Sequence, residues 1–306
     1  MVFLKLAQLS KHCFKQRIQC GEISIDFKLL SINFSSKLDL VSDTLYELYR
    51  DYDFTSSDNW FDFNVSVETP SNLRRFYKPQ AVFQLDEHIP FKPLPFAHAY
   101  PLLEWGMNWC VANFFHDYLL LHAAVLEKDG KAIIFPAPPG SGKSTLCAYL
   151  ALSGWRLLSD EMAVINLNTH HVEPFVRPIC LKNNSISLVK EWFPDTYISP
   201  IAKDTQKGNV AHVRPPTAAV ENRHVSAPIC GIVFPKFEQS LQTTLTPMAQ
   251  TFALHQLIEN AFNFDLFEHQ GFEILSDVIT RVALFEAHYS DVHDLGERLL
   301  NEVVRR

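Results

Sequence analysis

The chain lacks most of the features that assign a sequence quickly. Its six cysteines, at 13, 20, 110, 147, 180 and 230, include no C-x-x-C pair. That excludes a zinc ribbon or a disulfide framework and reads as reduced thiols of a cytoplasmic protein. There is no basic stripe: Lys and Arg total 27 against 34 Asp and Glu, for a net charge of −7 and a pI near 6.0. Nucleic acid is therefore not the expected partner. No long apolar run is left uninterrupted, because the most hydrophobic stretch, 102–121, carries Glu104, Asn108, Asn113, His116 and Asp117. It is expected to be a buried helix between domains rather than a membrane span. No signal peptide is expected, since His12, Lys15, Gln16 and Arg17 follow the short apolar start. Glycine is scarce, with 10 in 306 residues.

Two of those glycines fall together in the segment 136–145, PAPPGSGKST, between the apolar run 132–135 and the helical-looking 146–150. G-x-G-K-[ST] arises by chance in about one chain in a hundred at average residue usage. The segment reads as a phosphate-binding loop between strand and helix. The backbone N–H groups of Gly140, Ser141, Gly142, Lys143, Ser144 and Thr145 would cradle phosphate, Lys143 would reach the β- and γ-phosphates, and the Ser144 hydroxyl would hold Mg²⁺. Ala137 stands where the full G-x-x-x-x-G-K-[ST] pattern has glycine, and Pro138 and Pro139 remove two donors.

The neighbourhood of the loop sharpens the reading. A strand is expected over 122–127, an Asp129-Gly130 hairpin turn, a strand over 131–135 and a helix over 144–153. This implies antiparallel neighbours for the loop strand. Downstream, 155–165 reads as one strand with Asp160 and Glu161 near its start. Two adjacent carboxylates beside apolar positions suit Mg²⁺ ligation, with one able to accept a proton. Arg177, Lys207 and Arg214 are candidate cations for offsetting transition-state charge, with Gly208 placed to let backbone approach a ligand. His170-His171 falls in an expected turn and lacks a third metal ligand nearby.

A proline-rich stretch, Pro90, Pro93, Pro95 and Pro101, marks a boundary. The expected division is an α+β N-terminal region over 1–95, a loop-bearing core over 96–247 and a helical part over 248–306. In the first region, strands are expected at 23–27 and 61–67 with a helix near 42–52. In the last, helices are expected over 249–262, 272–284 and 292–304, and the aromatics Phe262, Phe264, Phe267 and Phe272 as core or subunit interface.

These motifs carry a family resemblance. His122, the loop ending in Lys143-Ser144, and Asp160-Glu161 resemble the C-terminal kinase domain of HPr kinase/phosphorylase. The wider text is closer still to the HPr-kinase-related kinase A family, through LRRFYKPQ (73–80), PLLEWGMNWC (101–110), LLHAAVLE (120–127), PAPPGSGKST (136–145), GWRLLSDE (154–161), RPICLKNNSI (177–186) and DTQKGNVAHVRPP (204–216). The resemblance implies an α/β fold with a mixed β-sheet P-loop core of the HPr kinase and phosphoenolpyruvate carboxykinase type. It implies His122 near the transferring phosphoryl group, Asp160 as base, and Ser144, Asp160 and Glu161 around Mg²⁺. Glu161 stands where HPr kinase has a second aspartate, and no E-x-R-G-L-G string is present, which separates the chain from phosphorylation of HPr itself. Relatives of this type are associated with peptide modification, and some phosphorylate a serine of a precursor peptide.

The expected activity is therefore an ATP- and Mg²⁺-dependent kinase acting on a serine-type hydroxyl of a peptide or small protein. Two alternatives remain at the level of sequence: a nucleotide-binding sensor without transfer, and a kinase of a small metabolite. Homo-oligomerisation is left open.

Overall fold

The computed structural model of the chain describes all residues except 1–3, 56–59, 72–75 and 139. Pro139 of the glycine loop and 73–75 of the first resemblance string thus lie outside the described residues. The fold is mixed α/β, with both parallel and antiparallel strand pairs. It separates into two compact units, Met1–Phe114 with Cys180–Glu221, and Phe115–Ile179 with Asn222–Arg306. Each unit is built from two separate stretches of chain.

The first unit holds a seven-stranded sheet in the order Leu4–Lys5, Asp53–Thr55, Ile23–Asp26, Ser31–Ser35, Phe63–Glu68, Gln80–Leu85, Leu94–Pro95. Phe63–Glu68 is strictly alternating, with Phe63, Val65 and Val67 buried and Asn64, Ser66 and Glu68 half-buried, the period a one-sided sheet demands. Helix Asp39–Leu48 buries Val41, Leu45 and Leu48, a spacing of four and three that lines one helical face. Tyr49, Tyr52, Phe27 and Phe34 pack into an aromatic centre with ring separations of 5.0 to 6.4 Å. Helix Ala99–Phe114 contributes Glu104, 2% exposed, whose Oε1 accepts from the hydroxyls of Tyr49 at 2.9 Å and Tyr100 at 2.5 Å. Those two donors compensate the cost of burying a carboxylate.

The second unit carries a six-stranded sheet in the order Arg156–Ser159, Ala123–Lys128, Lys131–Pro136, Ile229–Phe237, Ala283–Tyr289, Thr244–Pro247. The middle three, Lys131–Pro136, Ile229–Phe237 and Ala283–Tyr289, are parallel and the flanking pairs antiparallel. The expected hairpin is present: Asp129 and Gly130 have φ of +54° and +79°, and Lys131 pairs with Lys128. Positive φ at both central residues lets a two-residue turn match the strand twist. A smaller sheet, Val172–Glu173, Ala163–Asn166, Tyr118–Leu121, completes the framework. The core lies among Val125, Ile134, Leu158, Ile232, Leu257, Leu275 and their neighbours.

Three expectations are corrected. The apolar stretch 102–121 is not one helix: the helix ends at Phe114, and Tyr118–Leu121 is a strand with Leu119, Leu120 and Leu121 fully buried. A continuous apolar run satisfies both a buried helix and a buried strand. The expected strand over 155–165 is two strands, Arg156–Ser159 and Ala163–Asn166, in different sheets, with Asp160 and Glu161 in the bend between them. The C-terminal part is not all helical, because Ala283–Tyr289 is a strand that pairs in parallel with Ile229–Phe237. Among the described residues no helix is long and apolar enough to cross a membrane.

Candidate functional site

Strand direction brings the site together. Lys131–Pro136 and Arg156–Ser159 are each antiparallel to the strand between them, Ala123–Lys128, so they run the same way. Their carboxyl ends and the amino end of Ala123–Lys128 therefore share one edge of the sheet. The residues just beyond those three ends are the glycine loop, Asp160 and His122. Pro136 is opposite Ala123 and Ser159 opposite Val125, so the three termini lie within two residues of one another along the sheet.

The loop itself is fixed from behind. Gly142 is the N-cap of helix Lys143–Leu152 with φ +89°, and Gly140 has φ +91°. The hydroxyl of Tyr289 donates to Gly142 O at 3.2 Å, and the Phe237 N–H donates to Ser141 O at 3.0 Å. A Cβ on residue 142 would lie 2.4 Å from the Tyr289 hydroxyl and 2.9 Å from Phe237 Cβ, so only glycine fits. Burial pushes the Tyr289 phenol above the ordinary tyrosine range, which keeps it a donor. At the start of the helix the first amides have no acceptor within the helix, and its dipole adds partial positive charge there. Ser144 and Thr145 are half-buried at this end, beside Lys143, which is 8% exposed.

Lys143 Nζ lies 3.3 Å from His122 Nε2. With Lys143 charged, the ammonium has only hydrogens to give, and His122 Nε2 is then the acceptor in a neutral imidazole that carries its proton on Nδ1. The His122 ring also meets the Phe262 ring edge-to-face at 5.7 Å, and its backbone N–H donates to Asn260 O at 2.7 Å. Asp160 is 5% exposed and accepts a hydrogen bond from the Cys147 thiol. Burial pushes that thiol well above its ordinary range, Asp160 pushes it the same way, and Lys143 opposes. Cys147 follows Lys143 by four positions on the same helix and so lies on the same face. The Asp160 bend is closed by the Ser159 hydroxyl, which accepts from the Met162 N–H at 3.1 Å. Two contacting pairs, Lys143 with His122 and Cys147 with Asp160, are thus brought together by one face of the helix, and Glu161 is half-buried beside Asp160 in the chain. A buried lysine and a run of helix N-terminal amides suit an anion, while the buried carboxylate beside them suits a cation or a proton.

The remaining candidates are distributed differently. Arg177 is 8% exposed in the same unit, its guanidinium 5.0 Å above the Phe175 ring, and the Phe175 N–H donates to Leu158 O at 2.9 Å. Lys207 and Arg214 belong to the other unit. There Lys207 Nζ is 5.5 Å above Trp105, while Arg214 lies 5.7 Å above Tyr197 and donates to Glu47 O at 3.4 Å. Gly208 does not face open space for a ligand: a Cβ there would be 2.3 Å from Asn183 Oδ1, so its glycine answers to that packing. His170 sits in the expected turn, with Nδ1 2.6 Å from Asp277 Oδ2. Among the described residues no group of three or more His, Cys, Asp and Glu side chains is placed to hold a metal.

Sequence reasoning missed Cys147, Tyr289, Phe237 and Phe262 as parts of the site. The first was within reach through its four-residue spacing from Lys143; the others come from segments 94 or more positions further along the chain. Neither the scan against protein-family models nor the search of curated proteins returns a match.

Proposed function

We propose that the protein is a kinase of the HPr-kinase-related A type that transfers the γ-phosphoryl group of ATP to a serine-type hydroxyl of a peptide or small protein. The observation that carries this reading is the assembly of a glycine loop, Lys143, His122 and Asp160 at one sheet edge with an antiparallel strand between the two acidic and cationic arms. Within it the loop amides and Lys143 bind the phosphates, and the dipole of helix Lys143–Leu152 supports their charge. The acceptor oxygen attacks the γ-phosphorus, an O–P bond forms, and the bond from that phosphorus to the β,γ-bridging oxygen breaks to release ADP. The acceptor's proton passes to Asp160 and then to solvent, with the Cys147 hydrogen bond orienting the carboxylate. Neutral His122 accepts from Lys143 and holds the ammonium at the reacting end of the loop.

The oxygen donors present, the Ser144 hydroxyl and the carboxylates of Asp160 and Glu161, are the hard ligands that suit Mg²⁺. When bound there, the ion would neutralise phosphate charge and act as a Lewis acid on the phosphoryl oxygens.

Labelled-ATP transfer to serine peptides, read by mass spectrometry, tests the proposal. Lys143→Ala is expected to abolish transfer. Asp160→Asn should lower kcat by about 10²- to 10⁴-fold, the usual worth of a general base, with nucleotide affinity retained. Undiminished transfer by Asp160→Asn would remove its role as base. Tight nucleotide binding with no phosphorylated product from any acceptor would favour a sensor over a kinase.

A further inference from the structure

The turn 260–263 is bolted to the edge strand beside the site. Phe262 N–H donates to Leu120 O at 2.9 Å, and Leu121 and Ala261 form an antiparallel bridge. Asn263, 3% exposed, accepts from the Leu120 N–H through Oδ1 at 2.9 Å and donates to Tyr118 O through Nδ2 at 2.9 Å. With the His122 N–H on Asn260 O, which together with the Phe262 bond makes up that bridge, four hydrogen bonds hold the turn. Such fixing leaves one conspicuous group in the open: Phe262 is 43% exposed although its ring touches His122, the immediate neighbour of Lys143. Leu266 in the following turn is 58% exposed, and the two helices flanking the turn each add an exposed aromatic, Phe252 and Phe272.

The charge of this segment has one sign. Between Lys236 and Arg281 there is no Lys or Arg, while Glu238, Glu259, Asp265, Glu268, Glu273 and Asp277 fall in the interval. Two of these pair with His255 and His269 on their own helices; Asp265 and Glu268, next to Leu266, are exposed. A face of carboxylates repels polyphosphate, so it is unsuited to the donor nucleotide. An aromatic and acidic wall instead complements a segment that is both apolar and cationic.

We propose that the turn 260–263 and the start of the helix that follows it, through Glu268, are the acceptor wall of the site and that the acceptor is a peptide segment with Lys or Arg and a bulky apolar residue close to its phosphorylated serine. The inference rests on the kinase reading above and adds the chemistry of its substrate. Phe262 packs on the apolar side chain and Asp265 and Glu268 meet the basic one, which brings the serine hydroxyl past the His122 ring toward Asp160.

The test is a library of serine peptides randomised at the flanking positions, incubated with ATP, Mg²⁺ and the full chain. Phosphorylated products should be enriched in Lys or Arg and in Leu, Phe or Trp near the serine. The exposed charge reversal Asp265→Lys with Glu268→Lys should raise KM for a basic peptide by about tenfold or more, leave kcat within a few-fold, and shift selection toward acidic peptides. Phe262→Ala should raise KM for peptides with a bulky apolar residue by a larger factor than KM for peptides without one. Thermal melts of the variants separate loss of fold from loss of recognition. Selection indifferent to charge, or an unchanged KM in a folded double variant, overturns the inference while the kinase stands. Transfer to no peptide at all overturns the kinase reading and the inference with it.

Discussion

Gly142 meets two demands at once, a φ of +89° and clearance from the Tyr289 hydroxyl, which would stand 2.4 Å from a Cβ. Gly140 meets only the first: its φ is +91°, with nothing within 4 Å of a would-be Cβ. The pair therefore separates conformational strain from packing. Gly140→Ala should cost about 1 kcal/mol of stability, the conformational part alone. Gly142→Ala should cost about 1–3 kcal/mol more, because Tyr289 and Phe237 must move. Denaturant unfolding of the two variants gives both numbers, and equal losses would show that the Tyr289 contact does not confine the loop. At this scale the sequence was informative where chemistry is local. The glycines, Lys143 and Ser144 announce themselves in five consecutive positions, whereas Tyr289 is 147 residues from Gly142 and carries no mark of its contact.

The strand Ala283–Tyr289 shows how an element can be hidden by its neighbour. Its last five residues alternate, with Phe285, Ala287 and Tyr289 buried and Glu286 and His288 half-buried. That period of two was legible, but the helical spacing of 272–284 leads straight into it and the longer pattern prevailed. The hairpin at Asp129-Gly130 was readable because two residues with positive φ leave little choice of turn. The bend at Asp160-Glu161 was not, since nothing in a buried strand says to which sheet its second half belongs. The same strand has a measurable acid limit. The hydrogen-bonded Lys236 ammonium holds the Glu286 carboxyl below its ordinary range against the opposing effect of burial, and His288 adds to the lowering. A carboxyl lowered in the folded state stabilises the fold above its unfolded pKa, and that contribution is lost as pH falls through the lowered value. Wild type should therefore exceed Glu286→Gln in Tm at pH 7, with the difference shrinking as melts are taken down toward about pH 3. A difference independent of pH would mean that the ion pair does not set the acid limit.

At the scale of the whole molecule, each compact unit gathers two stretches of chain that are distant in sequence. The class of the fold and the sheet edge that carries the candidate site were accessible from local patterns. The grouping of 180–221 with the first 114 residues was not, because long-range pairing depends on which surfaces bury each other and leaves no periodic trace. The same separation affects when the glycine loop acquires its shape. The motif is complete by Thr145, yet the groups that hold it, the Phe237 amide and the Tyr289 hydroxyl, belong to strands that end about 90 and 150 residues later. During synthesis, at about 5–20 residues per second, the loop would leave the ribosome several seconds before its supports. A nascent chain would carry the whole signature for that interval without the supported loop on which the proposed nucleotide site depends. A chain cut before Ala283 should remain in that condition, with wild-type nucleotide affinity in such a fragment counting against the dependence. Competence at the loop is on this view a late event, timed by the last strand of the sheet.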